Sequence, residues 1–223
     1  MTNENEVNKV KKLFSNTALF ALGNIGSSII LFLLLPLYTN VLTTEEYGII
    51  NLVTTFSNLL IPIFSLQIGD AVLRFGLSNK YKKNDVLKIT LTILMIGSIM
   101  VFLCRPLINK YNVLQPWSFY VCILIIVSMF RGELAIYIKT LGKNKYYALN
   151  SIIYTFSLAV FNIIFLVYIK LGIRGYLYAM IIATVISSIF LAVEGNVISS
   201  ILKTKINKDL MKKMVIFSIP MIF

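Results

Sequence analysis

The chain has 223 residues, of which 58% are hydrophobic and 13% charged, against roughly 45–50% and about 25% in an average soluble domain. A water-soluble core of this size cannot hide so much apolar surface, which argues against a soluble enzyme and excludes a disordered chain. The charge is lopsided, 21 Lys+Arg against 9 Asp+Glu, and fits either a nucleic-acid surface or the lysine bias of cytoplasmic membrane loops.

A basic arm (Lys9, Lys11, Lys12) precedes an apolar run from Leu13 to Tyr38. The run is too long for the roughly 7–15-residue core of a signal peptide, and no small-x-small cleavage site closes it. It reads as a first transmembrane span, 14–38, with Thr17, Ala21, Asn24 and Ser28 along it. The second span, 47–69, carries Asn51, Thr55, Asn58, Pro62, Ser65 and Gly69 at 4-3-4-3-4 spacing, one helical face. Such a stripe either packs against other helices or lines a water-filled cavity. Pro62 cannot donate to the Asn58 carbonyl, so a kink is predicted there, as a static bend or a hinge. Asp70 and Arg74 close this span at i,i+4 spacing, near enough to pair.

The third span is 86–104 and the fourth 117–138. Cys104 and Cys122 stand in or beside these runs without metal-ligand spacing, and the chain has no histidine. No metal site and no cofactor are therefore expected. Arg131 and Glu133 lie within the fourth span. At 1.5 Å per residue Arg131 starts roughly 12 Å below Lys139, a depth at which it should face a cavity or a partner. The fifth span, 147–169, carries Ser151, Thr155 and Asn162; the sixth, 175–193, carries Thr184 and Ser188 and ends at an interfacial Glu194. Four polar stripes together favour a central cavity. A lysine-rich stretch follows, then a seventh apolar run that stops at Phe223 after ten residues, too short to span.

The expected architecture is an all-α polytopic membrane protein. Residues 1–202 form a six-helix lobe, 203–213 a cytoplasmic linker and 214–223 the opening of a second lobe. The chain reads as a fragment or a truncated product. Loop charges set its orientation. The N-terminal arm and the second, fourth and sixth loops carry 16 basic residues, the opposite loops four: Arg105, Lys110, Lys170 and Arg174. That asymmetry puts the N-terminus in the cytoplasm. Lysines spread over separate short loops make no single patch, so nucleic acid is not an expected partner.

Five segments, in order, carry a resemblance. LPLYTNVLTTEEYGIINL (Leu35–Leu52) is similar to "P-l-y-t-x-x-L-t-x-e-e-y-G"; QIGDAVLRFGL (Gln67–Leu77) to "G-x-x-x-a-l-x-R-f". YIKTLGKNKYYALNSIIYTF (Tyr137–Phe156) is similar to "R-a-l-g-x-x-k-x-y-a", with Lys139 where arginine is usual. LVYIKLGIRGYLYAMIIAT (Leu166–Thr184) and SIPMIF (Ser218–Phe223) complete the set. The chain resembles the polysaccharide transporter (Wzx-like, O-antigen or capsule flippase) family of the multidrug/oligosaccharidyl-lipid/polysaccharide exporter superfamily, N-terminal half only. The resemblance implies one lobe of a MATE-like two-lobe transporter that moves an undecaprenyl-pyrophosphate-linked oligosaccharide across the cytoplasmic membrane of a bacterium. It implies Arg74, Arg131 and Lys139 as pyrophosphate contacts.

Arginine suits that cargo through its planar fork of donors. Asn24, Asn51, Thr55, Asn58 and Asn162 are the cavity-lining candidates, with Asp70 and Glu133 as counter-charges. No P-loop or other catalytic motif is present, so a non-enzymatic role is expected. The expected partners are the bilayer, the lipid-linked oligosaccharide, the second lobe and polysaccharide-assembly proteins such as a polymerase. Rival readings are a MATE-type drug/cation antiporter, a flippase for the peptidoglycan lipid precursor and a non-transporting scaffold. The first is disfavoured because the first span lacks an acidic residue.

Overall fold

A segment in hydrocarbon must satisfy its backbone hydrogen bonds internally, so these apolar runs fold as helices. The computed structural model describes Gly23 and residues 25–202 and 206–222, with no strand among them. Five stretches are long and apolar enough to cross a membrane: α2 (Thr44–Ser65), α4 (Lys83–Leu103), Gln115–Thr140, Asn144–Tyr168 and α8 (Ile173–Glu194). The third of these is a short 3-10 turn leading into α6 (Ser118–Thr140). The fourth is α7 (Asn144–Asn162) prolonged by a π-helical stretch, Ile163–Tyr168. Helix α1 (Ile25–Val41) is shorter, and residues 14–22 and 24 of the expected first span, Asn24 included, lie outside the described residues. Short helices α3 (Ile68–Gly76), α5 (Arg105–Ile108), α9 (Val197–Leu202) and α10 (Lys208–Ser218) complete the chain.

The helix ends have local causes. At the start of α2, Thr43 Oγ1 accepts from the Glu46 N–H at 3.2 Å, and Glu46 Oε2 accepts from the Thr43 N–H at 2.9 Å. This reciprocal box satisfies two otherwise orphaned donors. The C-terminus of α6 is closed by Gly142, at φ 75, a left-handed conformation that costs a glycine nothing. Its N–H donates to the Lys139 carbonyl, and the Lys143 N–H to that of Ile138. Two lysines also work as caps. Lys83 Nζ donates to the Thr140 carbonyl at 2.5 Å and Lys143 Nζ to the Glu194 carbonyl at 2.6 Å, each at the negative end of a helix dipole. Asn207 caps α10, so the stretch expected as a linker is helical from Lys208 onward, and 203–205 lie outside the described residues.

The second span differs from expectation in one respect. Helical bonding runs on past Pro62 to Ser65 and breaks at Leu66 and Gln67, both left-handed at φ 53 and 47. The Pro62 carbonyl accepts the Gln67 N–H at 2.9 Å and helps close the end. Proline lacks a donor but keeps its acceptor, so the break falls one turn beyond it. The chain restarts as α3, a separate piece of helix.

Helix α6 is central, packed by α2, α3, α4, α7 and α8, while α7 and α8 run along each other. The main core joins Leu87, Leu94, Ile125, Met129, Ile138 and Leu177, all buried. A second cluster, Leu34, Tyr38, Leu42, Ile50 and Leu166, ties α1 and α2 to the end of α7.

Candidate functional site

Helices α6 and α7 form an antiparallel hairpin joined only by Leu141, Gly142 and Lys143. The short turn sets their register, so residues at similar distances from it meet. Arg131 lies with its guanidinium carbon 4.0 Å from the Tyr154 ring centroid. Two turns nearer the hairpin end, Lys139 Nζ lies 3.9 Å from the Tyr147 centroid. Each cation sits over the negative face of a ring, a favourable arrangement when partly desolvated. Arg131 is partly buried and Nε donates to Ser187 Oγ of α8 at 2.8 Å. Ser187 in turn donates to Asn150 Oδ1 of α7, and both residues are buried. Arg131 is thus held from two sides, by Tyr154 of α7 and Ser187 of α8. Its terminal nitrogens have no hydrogen-bond partner among the described residues.

Arg74, the third predicted basic contact, stands elsewhere. It is exposed on α3, with its guanidinium 4.4 Å from the Phe217 centroid of α10. Asp70 and Arg74 line an open depression with Leu73, Leu77, Phe217 and Met221. Glu133 faces this side of α6, against Gly69 of α3, and is buried. Arg131 and Glu133, two residues apart, therefore point to opposite faces of one helix. The structure brings Arg131 and Lys139 onto one seam and groups Arg74, Asp70 and Glu133 around α3.

The polar stripes also divide. Asn51, Thr55 and Asn58 of α2 are exposed on the outside of the lobe. Thr155, Asn162 and Thr184 are buried inside it. Thr155 and Thr184 bond back to the Ser151 and Met180 carbonyls, at 3.0 and 2.7 Å, which satisfies their hydroxyls within their own helices. Asn162, where α7 turns π-helical, donates through Nδ2 to Tyr38 Oη at 2.9 Å. The Tyr38 ring packs edge-on to Tyr176 at 5.2 Å.

A family model described as a polysaccharide biosynthesis protein matches residues 13–223. The chain belongs to this polysaccharide biosynthesis family. No curated protein matches it by sequence. Among solved structures it is similar to an outward-facing multidrug resistance MATE family transporter of the MOP superfamily: TM-score 0.67, 16% identity, covering 93% of this chain and 49% of that one. It is also similar to a MOP superfamily transporter from Pyrococcus furiosus, described as having a binding pocket of reverse polarity that suggests a different function: TM-score 0.63, 14% identity, 93% and 49% coverage. The shared fold is therefore that of the MATE transporters, and the chain spans about half the length of these structures.

In this member of the polysaccharide biosynthesis family the segments of resemblance are mainly fold devices. The T-x-e-e element is the Thr43–Glu46 capping box. The Gly69 and Gly76 positions of Gln67–Leu77 leave room for α3 on α6: an added Cβ at Gly76 would lie 2.8 Å from Thr140 Cγ2. Gly172 lies against the Glu46 carboxyl, so the first and fourth segments meet. Sequence reasoning read Tyr147 only as an interfacial aromatic and did not single out Tyr154, Ser187 or Asn150. A signal was present for the tyrosines. Arg131 and Lys139 are eight residues apart, Tyr147 and Tyr154 seven, and the two pairs nearly mirror one another about Lys143.

Proposed function

We propose that this protein forms part of a bacterial membrane transporter that flips an undecaprenyl-pyrophosphate-linked oligosaccharide from the cytoplasmic to the outer leaflet. The observation that carries the reading is Arg131, held deep in a span by Ser187 and Tyr154 with its fork of terminal donors uncommitted. Charge at that depth is expensive without a purpose, and a pyrophosphate is the concentrated anion that a guanidinium fork fits. Lys139 on the same seam extends the basic track toward the lysine-rich end. Family membership supports a role in polysaccharide assembly. The exposed Asn51, Thr55 and Asn58 suit glycan hydroxyls, and a lipid-facing surface would not favour them. The pocket of reverse polarity in the Pyrococcus furiosus transporter is in keeping with a fold that accepts cargoes of different charge. The lysine-rich ends face the cytoplasm in this reading.

The test is genetic and biochemical. Deleting the intact gene should accumulate lipid-linked repeat units on the cytoplasmic leaflet. Arg131→Ala in the full-length protein should cut surface polysaccharide about tenfold or more at matched protein abundance, in line with about 1.5–3 kcal/mol for hydrogen bonds to a charged group. Unchanged polysaccharide in the deletion strain, with altered drug sensitivity instead, would replace this reading with a drug/cation antiporter.

A further inference from the structure

We propose that Asn150 determines the charge specificity of the Arg131 site. It is a neutral amide where a carboxylate would fit, and it holds the guanidinium through Ser187 without cancelling its charge. That charge stays available to an anionic group of the pyrophosphate class. The proposal rests on the reading of Arg131 as an anion contact and adds the residue that keeps it one.

The order of donors makes Asn150 an acceptor. A guanidinium N–H can only donate, so Ser187 Oγ accepts from Arg131 Nε at 2.8 Å. The single hydroxyl proton of Ser187 is left for Asn150 Oδ1, which accepts it. Asn150 is 2% exposed and Ser187 0%, so these bonds are made away from bulk water. An aspartate at position 150 would have the same shape and accept equally well. It would differ in carrying a charge.

A cation inside a membrane lobe ordinarily pairs with a carboxylate. Arg131 pairs with none among the described residues, and the ionisable side chains that act on it are Tyr154 and Tyr147. Its contacts are the Tyr154 ring at 4.0 Å, the Ser187 hydroxyl and, beyond it, the Asn150 amide. The nearby acids stand elsewhere. Glu133 is on the opposite face of α6 against Gly69, Asp70 is exposed on α3, and Glu194 lies two turns beyond Ser187 at the end of α8. Lys139, the next cation on the seam, likewise lies over a ring, that of Tyr147, at 3.9 Å.

Rings and neutral dipoles fix where a guanidinium points and lower the cost of burying it, yet they leave its full charge in place. In a medium of low dielectric that charge acts strongly on an arriving anion. A carboxylate at position 150, one hydroxyl from Nε, would pair the charge internally. A pyrophosphate would then meet a like charge behind the guanidinium.

The measurement is binding of farnesyl pyrophosphate to the purified full-length protein in detergent, with farnesol as the uncharged control. The melting temperature of each variant is recorded alongside. Wild type should bind the pyrophosphate, and Arg131→Ala should weaken that binding about tenfold or more. Asn150→Asp should lose as much while melting no lower than Asn150→Leu. Asn150→Leu removes the acceptor without adding charge, so it should melt below wild type yet bind within a few-fold of it. If Asn150→Asp does not accumulate in the membrane, Ser187→Asp, which sets the carboxylate directly on Nε, should give the same loss. Near-wild-type binding by Asn150→Asp, or equal losses in Asn150→Asp and Asn150→Leu, would overturn the proposal and leave Arg131 as the anion contact. No binding by wild type, or undiminished binding by Arg131→Ala, would overturn the anion reading and this proposal with it.

Discussion

Arg131 shows how much of a residue's role depends on its neighbours. Its depth in an apolar run is visible in the sequence; its confinement is not. Ser187 holds Nε at 2.8 Å while bonding to Asn150, so one hydroxyl links three helices. Ser187→Ala leaves a guanidinium N–H and an amide oxygen unpaired inside the lobe. The expected cost is about 1–3 kcal/mol, read as a lower melting temperature in detergent. Surface polysaccharide should also fall several-fold at matched abundance, since the fork loses its orientation. A loss of stability with normal polysaccharide would make Ser187 a packing residue only.

Among the elements, α3 carries the most consequence for its length. Nine residues are docked on α6 through Gly69 and Gly76, two helical turns apart, where larger side chains would collide with Ile136 and Thr140. Gly76→Val should destabilise the protein by about 1–3 kcal/mol through overpacking. Leu77→Ala, at an exposed neighbour, should stay within about 0.5 kcal/mol. Thermal unfolding of the two variants side by side checks the contrast, and equal effects would mean that α3 is not closely docked. The same element explains a limit of sequence reading. Proline at 62 marks the region of the break, but the chain turns at Leu66 and Gln67, because helix termination is decided by which carbonyls can be recapped and by what α3 packs against next.

The whole molecule has a lysine-rich and a lysine-poor end, and the connections between its helices alternate between them. On a background without Cys104 and Cys122, Asn112→Cys should react with a membrane-impermeant maleimide in whole cells, while Asn79→Cys should react only after lysis. Both positions are exposed, at opposite ends of the lobe. The reverse labelling would invert the orientation and the direction of transport proposed above. At this scale the lysines are more than a topology signal, since Lys83 and Lys143 also close the ends of α6 and α8.

Length and hydropathy mark the apolar runs that become the five membrane-capable stretches. Each run is measured against lipid locally, residue by residue, and needs no knowledge of its neighbours. The ordered segments of resemblance point to the family for a related reason, since capping boxes and close-packing glycines are local devices of the fold. Tertiary structure alone decided which way each polar face turns. It put Asn51, Thr55 and Asn58 of the second-span stripe outside the lobe, and Ser65 and Gly69 of the same stripe inside with Thr155, Asn162 and Thr184. It also set Arg131 and Glu133 on opposite faces of α6, one against tyrosine and serine, the other against glycine. Those directions follow from how separate helices pack, and a side chain's chemistry in a membrane is set by what lies across that contact.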